Sequence, residues 1–382
     1  MSNLIQNYAR QDLEFVDGHE ATLITANGAE YLDLTSGIGV WNLGLKHPVL
    51  VEALQEQVNQ IWHVPNLYTS ALQEKVAGQL SLNGTYQAFF CNSGTEANEA
   101  AIKLARLATG KTKVVSFING FHGRTYGSMS ITAQEAIQAG FAPLVPDMAY
   151  LAFNQVDFSA IDAQTAAVFV EIIQGEGGVT PADASWLKAL AARCQTVGAL
   201  LVVDEVQTGI GRCGSLYAFE QFGLNPEIVT VAKALGNGVP VGAMLAKPAV
   251  AKAFTPGTHG STYGGNRLAL AVATEVLALV DDPAFLASVA TKGTLAMTNL
   301  TTQLADVSIV KDVRGIGLML GIELTDAKVL NAVVEKLAAQ HILVLTAKHN
   351  TLRLLPPLVI SEAELTAGVQ AVIDVIKEMD VK

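Results

Sequence analysis

The chain predicts an open α/β fold, a mostly parallel sheet covered by helices, with a smaller α+β unit beside it. Seven short runs, at 87–91, 114–118, 148–152, 167–172, 199–204, 228–232 and 241–246, have the length of buried strands, and most are apolar on both faces. Helix-patterned segments at 95–108, 133–139, 184–197 and 216–222 lie between them. That alternation is the signature of βα units. Beyond residue 265 the texture changes to long helices and short paired strands.

In chain order, 22–25 and 30–34 read as strands around an Asn27-Gly28 turn. The seven runs and their helices follow. Then come helices at 268–280 and 282–303, paired strands at 308–313 and 318–324 around Gly315 and Gly317, a helix at 326–340, and strands at 342–345 and 351–354. The last helix opens on Ser361-Glu-Ala-Glu364, a capping box. The expected organisation is a large domain over 41–265 and a small one combining 1–40 with 266–382.

Composition narrows the function. A chain of 382 residues can build two domains. No apolar run reaches the roughly 18–20 residues of a membrane span. Residues 1–10 lack the basic-then-apolar order of a signal peptide. Cys91, Cys194 and Cys213 are scattered, suggesting neither a disulfide framework nor a metal cluster, and a reducing cytoplasm fits. A net charge of −11 argues against nucleic acid and leaves any anionic substrate to a few placed arginines. The seven histidines show no metal-ligand spacing.

Lys233 is the most informative residue. It closes the apolar run Ile228-Val-Thr-Val-Ala and precedes a glycine-rich turn. A buried ammonium must be paired, neutralised or used covalently, and desolvation makes a lysine nucleophilic. The ordinary alternative is a lysine snorkelling from a strand end. Asn92-Ser93-Gly94-Thr95 leads from a strand into a helix, which suits a phosphate or simple N-capping. Asp204 and Glu205 end another run, where a carboxylate can hold a protonated ring nitrogen or cap a helix. Phe121 in Phe-His-Gly-Arg124 can stack on a planar ring or join the core, while Arg124 can grip a carboxylate. Glu171 and Glu176, on a strand end and its glycine-rich continuation, could compete for arginines, order a pocket or be solvated. The loop Gly260-Ser261-Thr262 offers hydroxyls before a helix, and Arg353 sits among apolar residues, where an anion or a buried salt bridge must meet it. A phosphate cradle, a stacking ring, a strand-end aspartate and a buried lysine are together the parts needed to hold pyridoxal phosphate.

Over about 28–357 these motifs resemble class III, fold-type-I pyridoxal-phosphate aminotransferases. Ser36-Gly-Ile-Gly-Val40, Phe121-His-Gly-Arg-Thr125 and the short length are most similar to the subgroup acting on acetylornithine. The resemblance implies that Lys233 bonds the cofactor and moves protons, and that Asp204 pairs with the ring nitrogen. It implies that Val206 and Phe121 cover the two ring faces, that Gln207 meets the ring oxygen, and that Ser93, Gly94 and Thr95 take the phosphate. Thr262 would reach the phosphate in the other subunit of a homodimer with shared sites, with Ser261 at the substrate entrance. Arg124 would bind the α-carboxylate of acetylornithine and Arg353 that of glutamate or 2-oxoglutarate, with Glu176 neutralising Arg353 in alternation. Ile172, Arg267 and Leu45-Lys46-His47 depart from the family pattern without removing a reactive group. The expected reaction is ping-pong transfer of the δ-amino group to 2-oxoglutarate in arginine biosynthesis. Rivals are aminotransfer from ornithine, succinylornithine or 4-aminobutyrate, glutamate-semialdehyde aminomutation, and cofactor binding without turnover.

Overall fold

The computed structural model describes residues 3–380, so both ends of the expected small domain, 1–2 and 381–382, lie outside the described residues. All seven expected strands form one sheet. Its order is Gln87–Cys91, Gly242–Ala246, Ile228–Val231, Leu200–Asp204, Thr165–Val170, Lys113–Phe117 and Met148–Leu151. The last five of these run parallel, and Gly242–Ala246 is antiparallel to both its neighbours. The parallel strands therefore present their carboxyl ends on one edge, where open α/β sheets collect ligands.

The helix Gly94–Thr109 shows how local chemistry aims that edge. Ser93 Oγ accepts the Glu96 N–H at 3.3 Å, and Glu96 Oε2 accepts the Asn92 N–H at 2.7 Å, so the start is closed by reciprocal caps. Ala97, Ala100, Ala101 and Ala105 are buried. Their small side chains let the helix lie close on the sheet, with its first turn over the strand ends. Gly110, at φ +67°, terminates it in the left-handed conformation that only glycine adopts without strain.

Two large hydrophobic clusters account for most of the core. The first packs one face of the central sheet and includes Leu43, Leu50, Trp186, Val203, Leu270 and Val276, so the helix Arg267–Val280 belongs with it, while a smaller cluster with Ala101, Val202 and Met244 fills the other face. The second joins Ala21 and Leu34 to Val289, Leu320, Leu352, Val369 and Ile376. Its surface sheet runs Val310–Ile316, Met319–Leu324, Thr351–Leu354, Leu345–Ala347.

Several elements differ from expectation. The strand read at 342–345 is split. Ile342–Leu343 pairs parallel with Glu30–Asp33, and Leu345–Ala347 pairs antiparallel with Thr351–Leu354, so one apolar run serves two sheets. The run 167–172 ends at Val170, and Ile173–Gln174 starts a separate small hairpin with Thr180–Pro181. The segment read as helix at 216–222 is a 3₁₀ turn over Ala218–Phe222, closed by Gly223 at φ +63°. Helices Pro48–Val58 and Ala71–Leu80 were not anticipated, although Pro48 at the first turn and the Ser70 N-cap are ordinary start signals.

Candidate active site

A cavity of about 400 Å³ opens at the carboxyl ends of the parallel strands. Its wall brings together Ser93, Gly94, Thr95, Phe121, Arg124, Glu176, Asp204, Val206, Gln207 and Lys233, residues drawn from across the chain. Of the sequence-derived candidates, Glu205, Ser261, Thr262 and Arg353 are missing from that wall. Arg353 stands directly behind it, where Nη1 donates to Glu176 Oε1 at 2.7 Å and to Gln207 Oε1 at 3.2 Å. Ser261 and Thr262 line a different cavity of about 790 Å³, beside His63, Asn66 and Phe89. Ser261 Oγ lies 3.3 Å from Asn92 Nδ2, so the two cavities are neighbours.

Lys233 follows the strand Ile228–Val231 and opens a one-turn 3₁₀ helix with φ +46°, a conformation L residues adopt at a cost. Among the described residues its amine has no hydrogen-bond or ion-pair partner. Burial, and then the nearby Arg353 charge, push its pKa down, against the opposing pull of Glu176, Asp204 and Glu171. An amine held this way is the nucleophilic form that carbonyl chemistry requires.

Asp204 ends its strand and is fixed from three directions. Oδ2 accepts from Asn98 Nδ2 at 2.8 Å and lies 2.8 Å from His122 Nδ1, while Oδ1 accepts the Val206 N–H at 3.0 Å. Asn98 is itself held by Thr230 Oγ1 at 2.9 Å. Burial alone would depress His122, but its hydrogen bond to Asp204 and the charges of Asp204 and Glu171 outweigh that and raise it. These contacts favour the protonated imidazole, and the Asp204 carboxyl beside it lines the cavity.

No role for His122 or Asn98 is legible in the sequence: His122 stands inside the Phe121–Arg124 motif and Asn98 in the first turn after Thr95, but nothing in the one-dimensional pattern marks either as a partner of Asp204. Glu171 is buried and its Oε2 accepts the Phe121 N–H at 3.0 Å, which sets the turn that carries the aromatic ring. Burial pushes its carboxyl up to about 8. The strand-end acids separate: Asp204 faces the cavity, whereas Glu205 turns away to accept the Phe219 N–H at 2.8 Å and the Thr208 hydroxyl.

Glu205 yields a pH prediction. Burial lifts its pKa from the ordinary 4.5 to about 7. The folded state thus binds the proton more tightly than the unfolded chain, so this group's contribution to stability is present below pH 4.5 and is lost as pH rises towards 7. The denaturant midpoint of the native protein is expected to fall over that window. Glu205→Gln should flatten the slope, and an unchanged slope would contradict the buried-acid assignment.

The wall fits a phosphorylated aromatic aldehyde. The N–H groups of Gly94 and Thr95 have no acceptor among the described residues and sit at the positive end of a sixteen-residue helix. A Cβ at Gly94 would lie 2.7 Å from Val206 Cγ1, so only glycine leaves this floor open. The Ser93 hydroxyl is spent on capping, with Oγ 3.0 Å from Glu96 Oε2, which leaves the backbone to bind anions. A free lysine amine, a charged strand-end carboxylate, an aromatic ring and an anion-binding helix start define a pyridoxal-phosphate enzyme.

The chain belongs to the class-III aminotransferase family, whose model matches residues 7–376. It is 49% identical over 372 residues to the acetylornithine aminotransferase of Bacillus anthracis, an alignment covering 97% of this chain and 96% of that one. The N-acetylornithine aminotransferase structure from Stenotrophomonas maltophilia K279a superposes with a TM-score of 0.83 at 34% identity, covering 97% of each chain. The ornithine aminotransferase of Toxoplasma gondii, described with partial occupancy of PLP at its active site, gives 0.94 at 31% identity, covering 99% of this chain and 93% of that one. Among the described residues no helix is long and apolar enough to cross a membrane.

Proposed function

We propose that this enzyme transfers the δ-amino group of N2-acetyl-L-ornithine to 2-oxoglutarate, as a homodimer in the cytoplasm. The observation that carries the two-substrate reading is the Arg353–Glu176 pair. Arg353 is almost fully buried, and among the described residues its Nε lacks a partner and its only carboxylate partner is the less buried Glu176. Such a guanidinium is ready to take a second carboxylate when Glu176 moves aside, and is neutralised when it does not. Identity to an acetylornithine enzyme at 49%, against 31% for an ornithine enzyme, supports the acylated donor.

Bound in the cavity, pyridoxal phosphate supplies an aldehyde that takes up amines and an electron-withdrawing ring. Gly94 and Thr95 would hold its phosphate, Phe121 and Val206 its faces, Gln207 its oxygen and Asp204 its nitrogen. Lys233 would hold the cofactor at its aldehyde, and its amine, with its lowered pKa, would take up and return the proton at the donor carbon when free. Arg124 is exposed at the mouth, 5.8 Å from the Phe121 ring centroid, and would hold the α-carboxylate of the donor.

The dimer reading rests on the second cavity. Trp62, Leu67 and Tyr263 beside it are 54%, 87% and 63% exposed, an apolar surface that a second copy would cover. Thr262 would then complete the phosphate site of that copy. The three cysteines are unpaired and buried, in keeping with a reducing compartment.

A donor panel with 2-oxoglutarate as acceptor tests the reaction. Acetylornithine is expected to give the highest specificity constant, and a preference for free ornithine or 4-aminobutyrate would reject the donor. Arg353→Lys keeps the charge but loses the planar fork. It should raise KM for 2-oxoglutarate roughly 10- to 100-fold, the worth of a charge-assisted bond, with a smaller effect on acetylornithine. An unaltered KM would remove Arg353 from the acceptor site.

A further inference from the structure

We infer that Arg314 is a positioning residue that holds the two halves of the Glu176–Arg353 pair in register, and so sets discrimination between the amine donor and the dicarboxylic acceptor. The inference rests on the two-substrate reading of that pair. Arg314, Gly321 and Arg353 lie in one row across three antiparallel strands, since Arg314 is opposite Gly321 and Gly321 opposite Arg353. Directly opposed residues of an antiparallel sheet project from the same face. The two arginines therefore flank a glycine gap, and the segment that carries Glu176 lies in it. A Cβ at Gly321 would fall 2.7 Å from Val179 Cβ.

The guanidinium of Arg314 grips both sides of this gap. Nε and Nη2 donate to the Gly178 carbonyl at 3.0 and 2.7 Å, two residues beyond Glu176. Nη2 also donates to Thr351 Oγ1 at 3.2 Å, two residues before Arg353. Nη1 is anchored on Asp312 and Glu323, each at 2.8 Å. Gly178, at φ +94°, leaves room for this approach, and a Cβ there would meet Arg314 Nη2 at 3.1 Å. The other end of the segment is tied by the Lys348 N–H, which donates to the Glu176 carbonyl at 3.0 Å. With the backbone fastened at both ends, exchange of partners on Arg353 is left to the Glu176 side chain, which returns to one place. Release of the Gly178 carbonyl would let that place drift and leave Arg353 unneutralised when a donor without a matching carboxylate is bound.

The test follows the two half-reactions separately by the absorbance of the bound cofactor. Arg314→Lys keeps the charge near Asp312 and Glu323 but cannot span Gly178 and Thr351 together. Its specificity constant for acetylornithine should fall at least about fivefold relative to that for glutamate, and the double variant with Glu176→Gln should match Glu176→Gln alone within about twofold. Gly321→Ala, which forces Val179 outward, should shift the same ratio in the same direction. A ratio unmoved in both single variants, or effects of Arg314→Lys and Glu176→Gln that multiply, would overturn the inference. An unsubstituted enzyme that reacts with glutamate but not acetylornithine would instead refute the donor. The same ratio would then be read with the ω-amine the panel selects, and the expectations for Arg314 stand.

Discussion

Lys233→Ala lowers turnover by about four orders of magnitude or more, because one side chain serves both as covalent anchor and as proton carrier. The expectation follows from its surroundings: the amine lines the cavity, has no protein partner among the described residues, and is driven towards neutrality by burial and by Arg353. Among the described residues no other lysine lines that cavity, so no second amine there can substitute. The fold should survive, since the variant removes a desolvated amine and breaks no hydrogen bond. Single-turnover rates with acetylornithine, with and without an added small primary amine, check this. Partial rescue by the amine is expected, and undiminished steady turnover without it would remove Lys233 from the chemistry.

Asp204→Asn is the second large effect. It keeps the shape of the strand end but discharges the group that faces the cavity. Loss of one placed electrostatic partner in a buried site costs roughly 10²- to 10³-fold in kcat. Its neighbours report the change independently. The His122 pKa is raised by the Asp204 hydrogen bond and charge against the effect of burial, so the imidazole should lose its proton at lower pH in the variant. Nitrogen-labelled histidine spectra across pH resolve this. A variant with normal kcat and an unmoved His122 would show that Asp204 does not govern the site.

The central sheet was legible because its strands are apolar on both faces, so each run of four to six residues stood out against its helices. The residues at strand ends were legible for the same reason: Asp204 and Lys233 break apolar runs where a charge is costly. The partner network was not. His122 and Asn98 become significant only because the helix after Ser93 and the turn after Phe117 bring them to one carboxylate, 82 and 106 residues away in sequence. Glu205 and Asp204 are adjacent and chemically alike, and only the alternation of a strand sends them to opposite environments. The clamp at Arg314 depends on register across three strands, which a single sequence does not display. Ser261 and Thr262 fall outside the cavity of their own chain, so a role at the phosphate requires a second copy.

The most direct measurement of the central claim is borohydride reduction of the cofactor-loaded enzyme followed by peptide mass analysis. A single phosphopyridoxyl group on the Lys233 side chain, blocked by prior exposure to acetylornithine without acceptor, is the expected result. Label on another lysine, or none on a protein that still transaminates, would contradict it.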